Sequence, residues 1–319
     1  MQEFLIQAIA TAVDKYNTGR SNEAVAILCE VLKIDSNNEL AGKVMNVIAA
    51  SQFGFSPPDI SQEFGIPWNG EDLNHKSIQI FCDQGMGDNL NLLRYVAELK
   101  RRYEVSIVVN CYAFYEQLKR LFSRLDFFEF TNSHILCDYF VNIMSLPTIL
   151  NKSPVVNYPV HFHEAMKNEI PPQVNFGQFE RKFSGFNVGV AWKSNVLNKL
   201  SEVKSIEVSE FKVLLDIGNL HCLLPSECPD FMISHSINDM EDTANLINSM
   251  DVIVSIDTAV LHLAGCLNKK TYALLPMDYD PRWSGEICAW YPSVEMYKKK
   301  NEWSDLLEEI AIEINRLKE

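Results

Sequence analysis

Apolar positions in the first fifty residues repeat at helical spacing. In the first predicted helix they recur every three or four residues, at Phe4, Leu5, Ala8, Ile9, Ala12, Val13 and Tyr16. A second helix is predicted from Ser21 to about Leu32, after the turn at Gly19, and a third over about 39–50. Residues 1–52 are therefore predicted to form an all-helical segment.

Short apolar runs replace this pattern after residues 53–74, which are predicted to be a linker because Pro and Gly interrupt every regular spacing. From His75 onward, strand-like runs alternate with helical spacing. The predicted strands cover 77–82, 105–110 and 137–144, and the predicted helices cover 90–102 and 114–122. Residues 151–183 are rich in Pro and aromatic side chains, show no period and are predicted to connect this domain to the next.

A second alternating set begins at Phe186. Its predicted strands cover 186–192, 219–224, 251–256 and 270–275, and its predicted helices cover 208–217, 240–249, 258–267 and 302–317. Because strands that alternate with helices form βαβ units, the chain is predicted to be an α/β protein with two Rossmann-like domains that face a cleft. The domains are predicted at 75–183, connector included, and at 184–301, with a closing helix at 302–319.

Composition narrows the kinds of protein that fit this pattern. The chain has 319 residues, 47% of them hydrophobic, so it can bury a sizeable core. Its formal net charge of −14 argues against a broad nucleic-acid surface, which needs a basic face, but not against a small anionic ligand. The N-terminus lacks the features of a signal peptide and no apolar run reaches the length of a membrane span, so a cytoplasmic location is expected.

Two glycines and an aspartate follow the first predicted strand of the α/β region. Gly85 and Gly87 let the backbone turn tightly and approach a ligand closely. Asp88 lies where the next helix opens, and two interpretations fit it. It could take a proton from an acceptor hydroxyl, or it could cap the helix, which is the commonest role of an aspartate in that place. On spacing alone the cap is favoured.

A buried strand runs directly into a helix of small residues at Asp257 and Thr258. Thr258 and His262 lie four residues apart and share one face near the positive end of the helix dipole. The amides of Thr258 and Ala259, the threonine hydroxyl and the imidazole could together bind a diphosphate. Asp257 would repel phosphate, so it is expected to cap the helix or to accept a sugar hydroxyl. A buried core histidine beside a structural cap fits the same residues equally well.

Cations and aromatic residues at other strand ends add candidate contacts. Lys193 directly follows a predicted strand and Lys204 ends the next loop, so either could neutralise a departing phosphate, although solvated surface lysines are commoner. Arg282 is a candidate contact for phosphate or sugar. Trp283, Trp290 and Tyr291 offer flat faces for a sugar or a base. For Trp290 and Tyr291, packing within an aromatic loop is the favoured interpretation.

The spacing of cysteine and histidine gives no sign of a metal site. The eight cysteines include no C-x-x-C pair, which favours buried free thiols over disulfides. No H-E-x-x-H, P-loop or G-x-S-x-G motif occurs, and His161 and His163 are predicted to be loop residues. Neither a metal nor a cofactor is therefore expected.

The order of these motifs resembles that of one known group of enzymes. The resemblance is carried by Gln84-Gly85-x-Gly87-Asp88, Arg94-Tyr95, Ser145-Leu146-Pro147, Gly189-Val-Ala-Trp192, Asp242-Thr243-Ala244, Asp257-Thr258-Ala259-x-x-His262-Leu263-Ala264-Gly265, Arg282-Trp283, Trp290-Tyr291-Pro292 and Trp303. Over roughly residues 76–317 the chain is similar to bacterial tetratricopeptide-repeat (TPR) glycosyltransferases, which are related to the heptosyltransferases of glycosyltransferase family 9 and have a GT-B fold. The N-terminal helices resemble a single TPR unit.

The resemblance implies a metal-independent, inverting transfer from a nucleotide-diphosphate sugar. It implies that Asp88 is the base and that Thr258 and His262 contact the diphosphate. Two positions depart from the family pattern. Lys204 stands where arginine is common, which keeps the positive charge but loses the planar guanidinium that can bind a phosphate through two hydrogen bonds. Leu224-Pro225 stands where the family has a Leu-Gln segment that contacts the nucleotide.

The hypothesis from the sequence is a glycosyltransferase that moves a sugar from a nucleotide-diphosphate sugar to a protein or glycan hydroxyl. Asp88 and Lys193 are the predicted catalytic residues, and the predicted donor-binding residues are Gly85, Gly87, Lys204, Asp257, Thr258, Ala259, His262 and Arg282. Nucleic acid is not an expected partner, and the helical segment is a candidate surface for homo-oligomers. The alternative is a catalytically silent binding or scaffold protein with the same fold.

Overall fold

The structure of the chain is a computed structural model. It describes residues 2–17, 21–35, 38, 41–42, 44–45, 48, 66–82, 85–133, 135–150, 170–194, 201–225 and 228–318. The chain divides into two compact units. The first unit comprises Met1–Asp83, Tyr95–Ala113 and Phe127–Pro171, and the second comprises Gln84–Arg94, Phe114–Asp126 and Pro172–Glu319.

Two amphipathic helices begin the chain, α1 (Gln2–Asn17) and α2 (Ser21–Ile34). Their apolar faces meet in a small core that includes Leu5 and Leu28, which are 3% and 0% exposed. These two helices confirm the pattern predicted for this part of the chain. The third predicted helix, 39–50, lies mostly outside the described residues, and the likeness to a TPR unit stays a prediction.

The described part of the first unit forms a five-stranded sheet in which all neighbouring strands are parallel. Its strands are β1 (Ile66–Pro67), β2 (Ser77–Phe81), β3 (Ser106–Asn110), β4 (Glu129–Thr131) and β5 (Tyr139–Asn142), in the order β1-β5-β2-β3-β4. Helix α3 (Met86–Arg102) connects β2 to β3, α4 (Tyr115–Phe122) connects β3 to β4, and α5 (Leu146–Leu150) follows β5.

The described part of the second unit forms another five-stranded parallel sheet, in the order β10-β9-β8-β6-β7. Its strands are β6 (Asn187–Ala191), β7 (Asn219–Cys222), β8 (Val252–Ile256), β9 (Thr271–Leu275) and β10 (Val294–Lys298). Its helices are α6 (Ser201–Lys204), α7 (Met240–Ser249), α8 (Ala259–Cys266) and α9 (Trp303–Lys318). The α/β alternation and the parallel pairing predicted from the sequence are thus confirmed.

The central strand β8 is apolar except at Ser255, because it is covered along its whole length. Every residue of Val252–Ile256 is buried, as is usual for a strand in the middle of a parallel sheet. Helix α9 contributes Leu307, Ile310 and Ile314 to the core that contains Val252 and other residues of this strand. This packing fixes the carboxyl end of β8, where the chain turns into α8.

Three predicted element boundaries differ from those in the structure. Helix α3 begins at Met86, four residues earlier than predicted, so Asp88 lies in its first turn. The strand predicted at 137–144 is limited to β5 because a 3-10 turn at Ile143–Ser145 ends it. Strand β1 lies inside the predicted linker 53–74, where its two residues pair with β5.

The sequence pattern does not predict two of the edge strands. Strand β4 has three residues, none of them fully buried, and most of β10 is only partly buried, so neither shows a continuous apolar run. Short edge strands depend on the neighbouring strand more than on their own residues. The helix predicted at 208–217 is a 3-10 helix over Val208–Leu214.

The described helices and cysteines carry two further findings. No described helix combines the length and the apolar character that crossing a bilayer requires. All eight cysteines are free thiols, and six of them are buried, in agreement with the expectation from their spacing.

Candidate functional site

The turn between β8 and α8 presents a helix N-terminus at the carboxyl edge of the second sheet. Thr258 is the N-cap residue, with extended backbone (φ −143°, ψ 175°), and its side chain makes no hydrogen bond to the helix amides. Its hydroxyl oxygen instead lies 3.4 Å from the carbonyl oxygen of Ile256. The first-turn amides of α8 therefore receive no cap from Thr258, which is the arrangement in which helix N-termini bind anions.

Asp257, one residue before this N-cap, forms a buried ion pair. Lys204 Nζ donates to Asp257 Oδ2 at 2.6 Å, and the two side chains are 10% and 8% exposed. Burial acts to raise the pKa of Asp257, but the neighbouring His262 and the charges of Lys204 and Arg282 outweigh it and hold the pKa below its usual value. Asp257 is thus a carboxylate held by Lys204, not the helix cap, and Lys204 is not a solvated surface lysine.

His262 lies one turn into α8, and both of its ring nitrogens face protein groups. Nδ1 lies 2.9 Å from the Tyr291 hydroxyl oxygen, and Nε2 lies 3.7 Å from Asp257 Oδ1. The side chain is only 4% exposed. Contact between His262 and a diphosphate stays a prediction, and such a contact requires one ring nitrogen to leave its present partner.

The start of α3 lies against this histidine. A Cβ atom at Gly87 would lie 2.5 Å from His262 Cδ2, so the backbone of the helix rests directly on the imidazole. Only glycine permits so close an approach. Gly85 precedes the helix and is exposed, and neither glycine has a positive φ. The sequence predicts that these glycines approach a ligand closely. In the structure, Gly87 lies close to the side chain of His262.

Asp88, in the first turn of α3, is paired with Arg282. Arg282 Nη1 lies 2.5 Å from Asp88 Oδ1, and Arg282 Nε lies 3.3 Å from Asp280 Oδ1. The side chain of Arg282 is 10% exposed and that of Asp88 is 21% exposed. The Asp88 carboxylate therefore does more than stabilise the first turn of its own helix, because it also pairs with Arg282, which follows β9.

Lys193 follows β6 at the same edge of the sheet. Two hydrogen bonds close the loop that begins with it: Ile206 N donates to the Trp192 carbonyl at 2.9 Å, and Ser194 N donates to Ser205 Oγ at 3.2 Å. Residues 195–200 of this loop lie outside the described residues. The loop ends thus bring the backbone of Lys193 near that of Lys204, and the catalytic role of Lys193 stays a prediction.

All ten residues predicted for the site lie within the second unit. Lys204, Asp257 and His262 form one contacting group, and Asp88 and Arg282 form another. The two groups are linked, because Gly87 packs on the imidazole and precedes Asp88. Within the described ranges, no three His, Cys, Asp or Glu side chains are grouped so as to hold a metal ion.

Two residues join the site that are not among the predicted site residues. Tyr291 is fully buried and binds His262 through its hydroxyl. Arg94 is 3% exposed, donates from Nη1 to the carbonyl of Trp290 at 3.0 Å, and places Cζ 5.2 Å from the centroid of the Tyr291 ring. Trp290 and Tyr291 are buried, as the packing interpretation expects. In the sequence, Tyr291 and Arg94 both belong to the segments that carry the family resemblance, and this is the signal that could have drawn attention to them.

Gly87→Ala tests the approach of α3 to His262. The added methyl group meets the imidazole at 2.5 Å, and overpacking of this kind lowers the free energy of unfolding by about 1–3 kcal/mol. Gly42→Ala is the control, because a Cβ there meets nothing within 4 Å and alanine favours a helix by up to about 1 kcal/mol. Urea denaturation measures the free energy of unfolding of both variants. Equal stability of the Gly87 variant and the wild type would show that the ring moves aside without strain.

Comparison with known proteins finds similar solved structures. No family model matches the chain, and no curated protein sequence matches it. The chain is similar to the iron-containing dodecameric glycosyltransferase TibC from enterotoxigenic E. coli H10407, with a TM-score of 0.53 and 11% identity over 74% of this chain and 66% of TibC. TibC in complex with ADP-D-beta-D-heptose gives a TM-score of 0.52 and 10% identity over 73% and 66% of the two chains. For E. coli heptosyltransferase WaaC with ADP-2-deoxy-2-fluoro heptose the TM-score is 0.47, with 10% identity over 76% and 98%.

The likeness to TibC concerns the fold. The matched region spans 66% of the length of TibC, just under two thirds. Together with the two parallel sheets, it gives this chain a GT-B-like glycosyltransferase fold. The predicted fold class is confirmed to that extent.

Proposed function

We propose that the chain is a glycosyltransferase whose donor is a nucleotide-diphosphate sugar. The supporting observation is the pairing of Asp88 with Arg282 in the same unit as the first turn of α8, which the side chain of Thr258 does not cap. Such a transferase needs a base for the acceptor hydroxyl and positive charge for the leaving diphosphate. TibC, which shares the fold, has been seen with ADP-D-beta-D-heptose, and this supports the same class of donor here.

The diphosphate of the donor binds, in this proposal, at the first turn of α8. The amides of Thr258 and Ala259 point to the helix N-terminus, where the dipole favours an anion. Lys193 and Arg282 supply further positive charge from the ends of β6 and β9. Asp257, fixed by Lys204, accepts a hydroxyl of the donor sugar.

The transfer is a single displacement with inversion, and it needs no metal. The acceptor oxygen attacks the anomeric carbon and forms the new C–O bond, while the bond from that carbon to the diphosphate oxygen breaks and its electron pair leaves with the diphosphate. Asp88 takes the proton of the acceptor hydroxyl on Oδ2, while Oδ1 is held by Arg282. The acceptor is a hydroxyl group of a protein or a glycan.

A panel of nucleotide-diphosphate sugars tests the proposal. We expect one of them to raise the Tm by about 4 °C at a concentration of about 100 times its Kd, since binding to the folded state then adds about 2.7 kcal/mol. Mass spectrometry of the same mixtures is expected to show release of the nucleoside diphosphate and a glycosylated or hydrolysed product. The matching nucleoside monophosphates are the control, because they lack the second phosphate that the α8 amides would bind.

The outcomes separate the two candidate functions. A panel in which no nucleotide shifts the Tm contradicts a donor site at α8. Binding without transfer or hydrolysis favours the alternative of a catalytically silent binding protein. Binding with inverted product supports the proposed enzyme.

A further inference from the structure

Four polar side chains form a buried chain behind the first turn of α8. The Tyr291 hydroxyl oxygen lies 2.9 Å from His262 Nδ1, His262 Nε2 lies 3.7 Å from Asp257 Oδ1, and Lys204 Nζ lies 2.6 Å from Asp257 Oδ2. Tyr291 is 0% exposed and His262 is 3% exposed. The two oxygens of Asp257 thus face different partners, Lys204 at hydrogen-bond distance and His262 further away.

The direction of proton donation follows from Asp257 and Tyr291, the two groups that the nitrogens of His262 face. Burial acts to raise the pKa of Asp257, but the neighbouring His262 and the charges of Lys204 and Arg282 outweigh it, so Asp257 is ionised and only accepts. In a neutral imidazole, Nε2 therefore carries the proton towards Asp257, and Nδ1 is an acceptor. Burial raises the pKa of Tyr291 well above its usual value, so its hydroxyl keeps a proton to donate to Nδ1.

The imidazole is fixed by the groups that surround it. The backbone of Gly87 lies against one edge of the ring, where a Cβ would meet Cδ2 at 2.5 Å. The fully buried Trp283 has its ring centroid 5.5 Å from that of His262, tilted by 33°. These contacts restrict the ring, so which nitrogen carries the proton depends on the groups that the two nitrogens face.

Tyr291 is itself fixed by Arg94. The guanidinium donates from Nη1 to the Trp290 carbonyl at 3.0 Å and from Nε to the Asn91 carbonyl at 3.0 Å. Its Cζ atom lies over the Tyr291 ring, 5.2 Å from the centroid, and at this distance the face of the ring attracts the positive charge of the guanidinium. These contacts tie the backbone and the ring of this loop to α3, so the Tyr291 hydroxyl is held at a fixed place beside His262.

We propose that Tyr291 is a positioning residue: its hydroxyl selects the Nε2–H tautomer of His262, which orients Asp257, and with it Lys204, towards the donor sugar. The effect on turnover rests on the proposed function, whereas the tautomer can be measured without it. His262 then acts through Asp257 and has no need to touch the diphosphate.

The first test is NMR of the full chain labelled with nitrogen-15. In the wild type we expect His262 to carry its proton on Nε2, and in Tyr291→Phe we expect a mixture of the two tautomers. His221 is an internal reference, because its Nε2 lies 3.0 Å from Asn187 Oδ1, far in sequence from the substitution, and its signals should not change. A proton on Nδ1 of His262 in the wild type overturns the proposal, whether or not the variant folds.

The second test separates kcat from KM. Tyr291→Phe is expected to lower kcat at least about tenfold, as the loss of an orienting partner does, and to leave the KM of the donor nearly unchanged because the α8 amides remain. Tyr272→Phe alters another buried tyrosine, 1% exposed, in β9 and is expected to keep the wild-type kcat. A full kcat in Tyr291→Phe overturns the positioning role. If the wild type transfers no sugar, the proposed function fails, while the NMR result still decides whether Tyr291 controls His262.

Discussion

Lys204→Met is expected to lower the free energy of unfolding by about 3–5 kcal/mol. The substitution keeps much of the apolar volume of the side chain but removes the ammonium that pairs with Asp257 at 2.6 Å. Since both side chains are at most 10% exposed, water cannot take the place of the lost cation, and Asp257 stays buried without its ion-pair partner. Denaturant unfolding followed by circular dichroism measures the loss.

Two companion variants show whether the unpaired charge is the cause. Lys270→Met removes the lysine of a pair with Glu295 whose side chains are 32% and 51% exposed, and is expected to change stability by about 0–1 kcal/mol. The double variant Lys204→Met, Asp257→Leu removes both buried charges and is expected to recover most of the lost stability. A double variant no more stable than Lys204→Met alone would contradict this explanation.

Asp88→Asn is expected to lower kcat for sugar transfer by about 10²–10⁴-fold, which is the usual contribution of a general base. The amide has nearly the shape of the carboxylate but cannot take a proton from the acceptor. The KM of the donor should change little, because the proposed diphosphate contacts lie on α8. Steady-state kinetics with the donor identified from the panel, at saturating acceptor, measure both quantities.

Asp280→Asn is the matched control for this variant. Asp280 Oδ1 lies 3.3 Å from Nε of Arg282, so this substitution changes the surroundings of the same cation without touching the proposed base. A much smaller loss of kcat is expected. If both variants lose kcat equally, the effect belongs to Arg282, and Asp88 is not the base.

The central elements of the second sheet are visible in the sequence because of how they are buried. Strand β8 is buried at every position and is apolar apart from Ser255, which gives the run that predicts a strand at 251–256. Helix α7 has the bounds that its apolar spacing predicts, and Asp239, whose side chain accepts from the amide of Asp242, caps its start. The edge strands β4 and β10 lack such a run, so only pairing with their neighbours reveals them.

The candidate site was only partly predictable, for a different reason. Lys204 and His262 were identified by their positions after strands and at a helix start. Neither position tells whether the side chain faces solvent or protein, and the structure shows that both face protein. Tyr291 looked like a packing residue and is one, yet its hydroxyl also meets His262.

By itself the sequence determined the α/β class, the alternation of the central strands with helices, and which residues stand at strand ends with groups suited to bind phosphate or move a proton. These are local properties, set by hydrophobic period and by residue type. Tertiary structure alone decided which of them are partners: Lys204 with Asp257, Asp88 with Arg282, and Tyr291 with His262. These pairs join positions 53, 194 and 29 residues apart, and their strength comes from burial, which exists only once the core has formed.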